Sequence, residues 1–259
     1  MKLAQIYECA NMIAPFALSR EYCDKFDAYD NSGIILDCGG DVTKILFSLD
    51  LSERAAERAI KIGAQLVYTH HPAIYAPLKT IRKGGVGSAL LQCAQAGISV
   101  MSSHLNLDCA MGGIDEWLMK GIGGTCPDHA MHIVNVGAYG RVYSVTEEPF
   151  TDFVKRVKKT FGAKNTMTYH SGAPVGRVAS FCGAGMDEES VAFAIAQGAD
   201  TIVSSDGKHH VIVEAVEAGL NVLLLTHYAA ENYGFGRFAR AILEKTGADG
   251  ELFTDARFL

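Results

Sequence analysis

The 259-residue sequence lacks several signatures, and each absence removes a class of protein. No Cys-x-x-Cys pair occurs. The seven cysteines (Cys9, Cys23, Cys38, Cys93, Cys109, Cys126 and Cys182) are odd in number and scattered, which fits reduced thiols rather than a disulfide framework. No apolar run approaches the roughly 20 residues that span a bilayer, and the opening MKLAQIYECANMIAPF has neither an apolar signal core nor a small-residue cleavage site. These features predict a cytoplasmic protein without a membrane partner. No Lys/Arg cluster exceeds two residues and the formal net charge is −6, which argues against a nucleic-acid partner. The dinucleotide fingerprint GxGxxG is missing, and no Ser or Cys sits in a nucleophile elbow. What remains is a chain with 49% hydrophobic residues, enough for a proper core, and a charge balance that leaves a small, metal-bound substrate open.

The pattern between Val42 and Asp108 runs strand (ILFSLDL), helix (SERAAERAIKIG), strand (AQLVYTHHP), helix (ALLQCAQAG), strand (ISVMSSH). From Val175 to Glu231 the same order returns as RVASFCGA, DEESVAFAIAQG, ADTIVSSDG, HHVIVEAVEAG and LNVLLLTH. Glycines that stop each helix are common to all such units. The strand ends are not: both copies close on His-x-x-x-carboxylate, His104 with Asp108 and His227 with Glu231. The expected fold is therefore α/β, with two related βαβαβ halves on mostly parallel or mixed sheets, spanning 1–128 and 129–259, and a dimetal site between them. TDFVKRVKKTFGA adds a helix to the second half.

Ligands in open α/β sheets sit beyond the carboxyl ends of the strands. Six of nine histidines (His70, His71, His104, His209, His210 and His227) fall at or just past such ends, while His129, His132 and His170 are scattered and take no role. Pro72 breaks the strand at His70 and His71. Neighbours on a strand face opposite ways, so these two suit one imidazole for each of two ions. His227 and Glu231 lie one helical turn apart, and Asp108 and Glu231 are the candidate bridging carboxylates. Read alone, Asp108 would be a helix N-cap and Glu231 a first-turn acid. Their matched offsets from histidines favour the metal. The candidate ligands are thus His70, His71, Asp108, His227 and Glu231, a mixed N/O set suited to two divalent ions of zinc, iron, manganese or nickel. His104, His209 and His210 are candidates for catalytic or supporting roles. RKGGVG lacks the GK[ST] ending of a phosphate loop and reads as a flexible loop.

The stretches DNSG (30–33), VYTHHPAIY (67–75), SSHLNLD (102–108) and LTHYAAEN (225–232), at this order and spacing, resemble the NGG-interacting-factor-three-like family, whose members are labelled GTP cyclohydrolase I type 2 homologues. The resemblance spans nearly the whole chain and fits the short form without a central insertion. It implies His70 and His71 as the paired ligands, Asp108 as the bridging acid, His227 and Glu231 as the closing pair, and a ring-shaped homohexamer. Two departures stand out: Leu105 where the family has Thr, and Thr226 where it has Gly.

The expected function is hydrolysis by a dinuclear centre, since paired ions lower the pKa of water to about 7 and hold the attacking and leaving oxygens. The resemblance makes the substrate nucleotide-like, GTP above all, opened at its imidazole ring, with Lys79, Arg82, Lys83 and Lys208 as the nearest cations for a triphosphate. The alternative is a non-catalytic metal-binding or regulatory scaffold, which needs the ligands but no acid or base.

Overall fold

The computed structural model describes residues 1–85 and 87–259; Val86, inside RKGGVG, lies outside them. The elements begin with α1 (Leu3–Ile13), α2 (Ala17–Phe26), β1 (Gly33–Leu36), β2 (Lys44–Ser48), α3 (Glu53–Ile62), β3 (Leu66–Thr69), α4 (Ser88–Gln95), β4 (Ser99–Ser102) and α5 (Leu105–Cys109). There follow α6 (Ile114–Ile122), β5 (His129–Val134), β6 (Gly137–Glu148), α7 (Phe150–Phe161), β7 (Thr166–Tyr169) and β8 (Val175–Ser180). The chain closes with α8 (Glu188–Ala196), β9 (Thr201–Ser204), α9 (His209–Glu217), β10 (Asn221–Leu225), α10 (His227–Thr246) and β11 (Asp249–Phe253).

Two compact units divide these elements: Met1–Ala110 with Phe235–Thr254, and Met111–Gly234 with Asp255–Leu259. The expected boundary between 128 and 129 is corrected on both sides. Helix α6 packs against β6 and β8, so its residues join the second unit. Strand β11 pairs in parallel with β2, which returns the end of the chain to the first sheet.

The first sheet has the order β1-β4-β3-β2-β11, with β2, β3 and β4 parallel and β1 antiparallel to β4. Alternation along the strands sorts its two faces. Leu46, Val67 and Val100, in register, meet the small residues Ala55, Ala56 and Ala59 of α3 and Leu90 and Cys93 of α4. One residue on, Phe47 and Tyr68 stack at 5.7 Å between ring centroids and receive Phe235 and Phe238 of α10 at 6.3 and 5.4 Å. Covered on both faces, β3 and β4 are buried throughout and read as continuous apolar runs. Helix α3 shows why the helices start and stop where they do. Ser52 accepts the Ala55 amide at 3.1 Å as N-cap, and Gly63 ends the helix at φ +67°.

The second sheet has the order β5-β6-β8-β9-β10-β7, with β8, β9 and β10 parallel and β7 antiparallel to β10. Its core packs Ala179, Ile202, Val222 and Leu224 against Val191 and Ala194 of α8 and Val211 and Ala215 of α9. The topology of the first unit therefore recurs. Three parallel strands stand in sequence order, and the last is flanked by an antiparallel strand that precedes them, β1 in one unit and β7 in the other. Among the described residues, the hairpin β5–β6 and strand β11 have no counterpart in the other unit's sheet, and the sequence pattern does not predict them.

Candidate functional site

The parallel strands of the first sheet end in register, those of the second end within one residue of register, and each is followed two positions on by a residue beyond its carboxyl end. In the first unit these residues are Asp50 after β2, His71 after β3 and His104 after β4; in the second, Cys182 after β8, Asp206 after β9 and His227 after β10. Carboxylates and imidazoles thereby become neighbours.

Four imidazoles are held in one manner. The buried His70 donates from Nδ1 to the Ser103 carbonyl at 2.7 Å. A carbonyl only accepts, so the Nδ1 proton is assigned and the lone pair of the neutral ring lies on Nε2. His71 donates from Nδ1 to Asp50 Oδ1 at 2.7 Å, His104 to Asp30 Oδ1 at 2.9 Å, and, in the second unit, His227 to Asp206 Oδ2 at 2.7 Å. Such outer partners orient a metal-binding imidazole and raise its basicity.

In the first unit the His70, His71 and His104 rings lie 4.8 to 5.6 Å apart by centroid, and their ligand atoms fall within 4.8 Å of one another. The expectation that His70 and His71 face opposite ways is corrected here. Strand β3 has already ended at Thr69, both histidine amides donate to the Leu49 carbonyl at 3.1 and 3.0 Å, and the rings converge. Asp108 is buried on α5, which Asn106 pins by donating to the Ala14 carbonyl at 2.8 Å. Its Oδ1 stands 3.5 Å from His70 Nε2.

In the second unit His227 and the buried Glu231 are one turn apart on α10, with Nε2 3.1 Å from Oε2. Two donors bound to one ion at about 2.0 to 2.2 Å and at octahedral or tetrahedral angles stand about 3.0 to 3.5 Å apart, so both His–carboxylate pairs have ligand-like spacing. Gly183 makes room: at φ +60°, a Cβ there would stand 2.6 Å from Glu231 Oε1. Thr226, the departure from the family glycine, caps α10 by accepting the Ala229 amide at 3.1 Å.

Asp30 is the residue that the sequence reading left without a role. Burial alone would raise its pKa, but bonds from His104, Ser19 and Ser32 outweigh that and hold it at about 2. For His104, burial would lower the pKa; the bond to Asp30 and the charge of Asp108 raise it instead. Asp50, Asp206 and Gly183 were likewise missed. The shared offset of two residues past a strand end is the signal that finds both aspartates.

The other expected residues are dispersed. His209 and His210 open α9 on the surface, and His210 meets Glu188 at 2.9 Å. Lys79, Arg82, Lys83 and Lys208 are exposed. His132 lies near the Tyr139 ring and 3.4 Å from Glu189, and His170 stacks on Phe150. No helix among the described residues is long and apolar enough to cross a membrane.

Comparison with known proteins gives the family and the fold. A relative from Clostridium perfringens (strain 13 / Type A), named a GTP cyclohydrolase 1 type 2 homolog, is 28% identical over 259 residues, covering 97% of this chain and 95% of that one. Reduced HcgD from Methanocaldococcus jannaschii superposes with a TM-score of 0.80 at 27% identity, covering 98% of each chain. A Staphylococcus aureus hypothetical protein shares the fold, with a TM-score of 0.84 at 22% identity over 98% of this chain and 97% of its own. The profile of Duf34/NIF3 (NGG1p interacting factor 3) matches residues 1–254, and the chain belongs to that family.

Proposed function

We propose that this protein is a divalent-metal-dependent hydrolase whose two ions are held by His70, His71, Asp108, His227 and Glu231 and whose substrate is a small nucleotide-like molecule. The observation that carries this reading is the uniform fixing of Nδ1 on His70, His71 and His227, which leaves each Nε2 as the ligand atom, with His104 held in the same way beside them. A structural histidine has no need of such a pattern four times over. The assignment of the two sets to one centre rests on the sequence resemblance. Zinc, iron, manganese and nickel all suit this N/O set. When bound, such ions act as Lewis acids and make water a nucleophile near neutral pH.

The chain's own residues do the rest. Asp50 and Asp206 keep His71 and His227 in one tautomer and one orientation. Buried Asp108 and Glu231 bring the negative charge that two neighbouring cations require. His104, anchored through Nδ1 by Asp30, keeps Nε2 beside His70 and His71, and we assign it the proton transferred during hydrolysis. His209 and His210, exposed at the start of α9, are not needed for that step. The relatives' name points to GTP as the first substrate to test.

Elemental analysis of protein purified without chelator or nickel resin, followed by turnover assays on GTP and phosphoesters under each of the four metals, tests the proposal. Two ions per chain and turnover that falls in Asp108→Ala and Glu231→Ala, with His129→Ala unaffected, are expected. Tight metal without turnover on any substrate would favour the scaffold instead, and an Asp108→Ala protein that keeps two ions would overturn the bridging assignment.

A further inference from the structure

Two tyrosines stand beside the histidine cluster of the first unit and serve none of the chemistry above. Tyr29 and Tyr75 are 52% and 49% exposed. Their rings meet at 5.4 Å between centroids and at 87°, and Tyr75 in turn lies 6.0 Å from the His104 ring at 89°. Neither side chain floats. The Tyr75 hydroxyl donates to the Tyr29 carbonyl at 3.0 Å, and Asn31 donates to the Ile74 carbonyl at 2.7 Å, tying the two loops together. Two large aromatic surfaces are thus held in a fixed corner next to partly exposed His71 and His104, although burying them would gain free energy. A rigid aromatic surface loses little conformational entropy when a ligand stacks on it.

We propose that Tyr29 and Tyr75 form a stacking subsite for the flat heteroaromatic ring of the substrate, a nucleobase or a ring of that kind, placing its reacting part at the histidine cluster. This deepens the hydrolase reading and rests on it. Aromatic faces prefer offset-stacked or perpendicular partners, and the corner offers a face on one tyrosine and an edge on the other. Because the Tyr75 hydroxyl is already committed to Tyr29, the subsite recognises the presence of a ring more than its substituents. Purine and pyrimidine nucleotides should therefore bind within a few fold of each other, as stacking platforms allow.

Isothermal titration with guanosine 5′-monophosphate and ribose 5-phosphate, which carries an anomeric hydroxyl in place of the base, tests the subsite. The titrations are run on metal-loaded and chelator-treated protein, with metal content measured on every sample. Guanosine monophosphate should bind at least about tenfold tighter than ribose 5-phosphate, in keeping with the usual contribution of one base stack. Tyr75→Leu and Tyr29→Leu should each remove about that factor for the nucleotide and leave the sugar phosphate and the metal content unchanged. Tyr75→Phe keeps the ring but loses the bond to the Tyr29 carbonyl, and should bind the nucleotide more tightly than Tyr75→Leu and no more tightly than the parent. Equal binding of the two ligands, no binding of the nucleotide at millimolar concentration, or an unaltered Tyr75→Leu would overturn the proposal. Absence of metal with base discrimination intact would defeat the hydrolase reading and leave the subsite standing.

Discussion

Gly183→Ala separates the demands of the backbone from those of the site. Gly183 has φ +60° and Gly198, also in the second unit, has φ +68°, so an alanine at either meets the same left-handed backbone. That conformation costs an alanine about 1 to 2 kcal/mol. At about 2 to 4 °C per kcal/mol in a chain of this size, both variants should melt a few degrees lower. Only one of them touches the site. Nothing lies within 4 Å of a Cβ at Gly198, whereas a Cβ at Gly183 stands 2.6 Å from Glu231 Oε1. To reach ordinary contact at 3.4 Å the carboxylate or the turn must withdraw by about 0.8 Å, well beyond the roughly 0.2 Å tolerance of a metal–ligand distance. Glu231 is buried and has little space in which to do so. Metal titration and thermal melting of the two variants give the result directly. Gly183→Ala should bind metal about ten- to a hundredfold more weakly than the parent, while Gly198→Ala matches it. Equal metal affinity in the two variants would refute the reasoning.

Asp50→Ala and Asp206→Ala remove the partners of His71 and His227 Nδ1 and should each weaken metal binding about ten- to a hundredfold, read by competition with a chromogenic chelator. Thr226→Ala loses the cap of α10 and should destabilise the chain by about 1 kcal/mol, whereas Thr226→Gly should cost only a few tenths, measured by denaturant unfolding. Light scattering at micromolar concentration should report a homohexamer, the assembly implied by the family resemblance; a monomer would rule it out.

The sequence alone was enough to find the repeated parallel strands and the strand-end histidines. Both are written in local patterns: apolar runs such as LVYT and NVLLL, glycine stops, and His-x-x-x-carboxylate at matching ends. Strands β1, β7 and β11 and the hairpin β5–β6 escaped because they are edge or antiparallel segments, several of them short and exposed, whose pairing depends on distant partners rather than on their own periodicity. The unit boundary escaped for the same reason, since β11 joins β2 across most of the chain. At the site, residue types and spacing singled out the candidate ligands, but geometry decided their presentation. Only the folded chain brings Asp30 to His104 across 74 residues and Asp50 to His71 across 21. Only the turn after Thr69 makes His70 and His71 converge rather than diverge, because the pleat that would have set them apart has already ended. A hydrogen bond of this kind depends on where a strand stops and what its neighbour presents, and both are settled by the packing of the whole sheet.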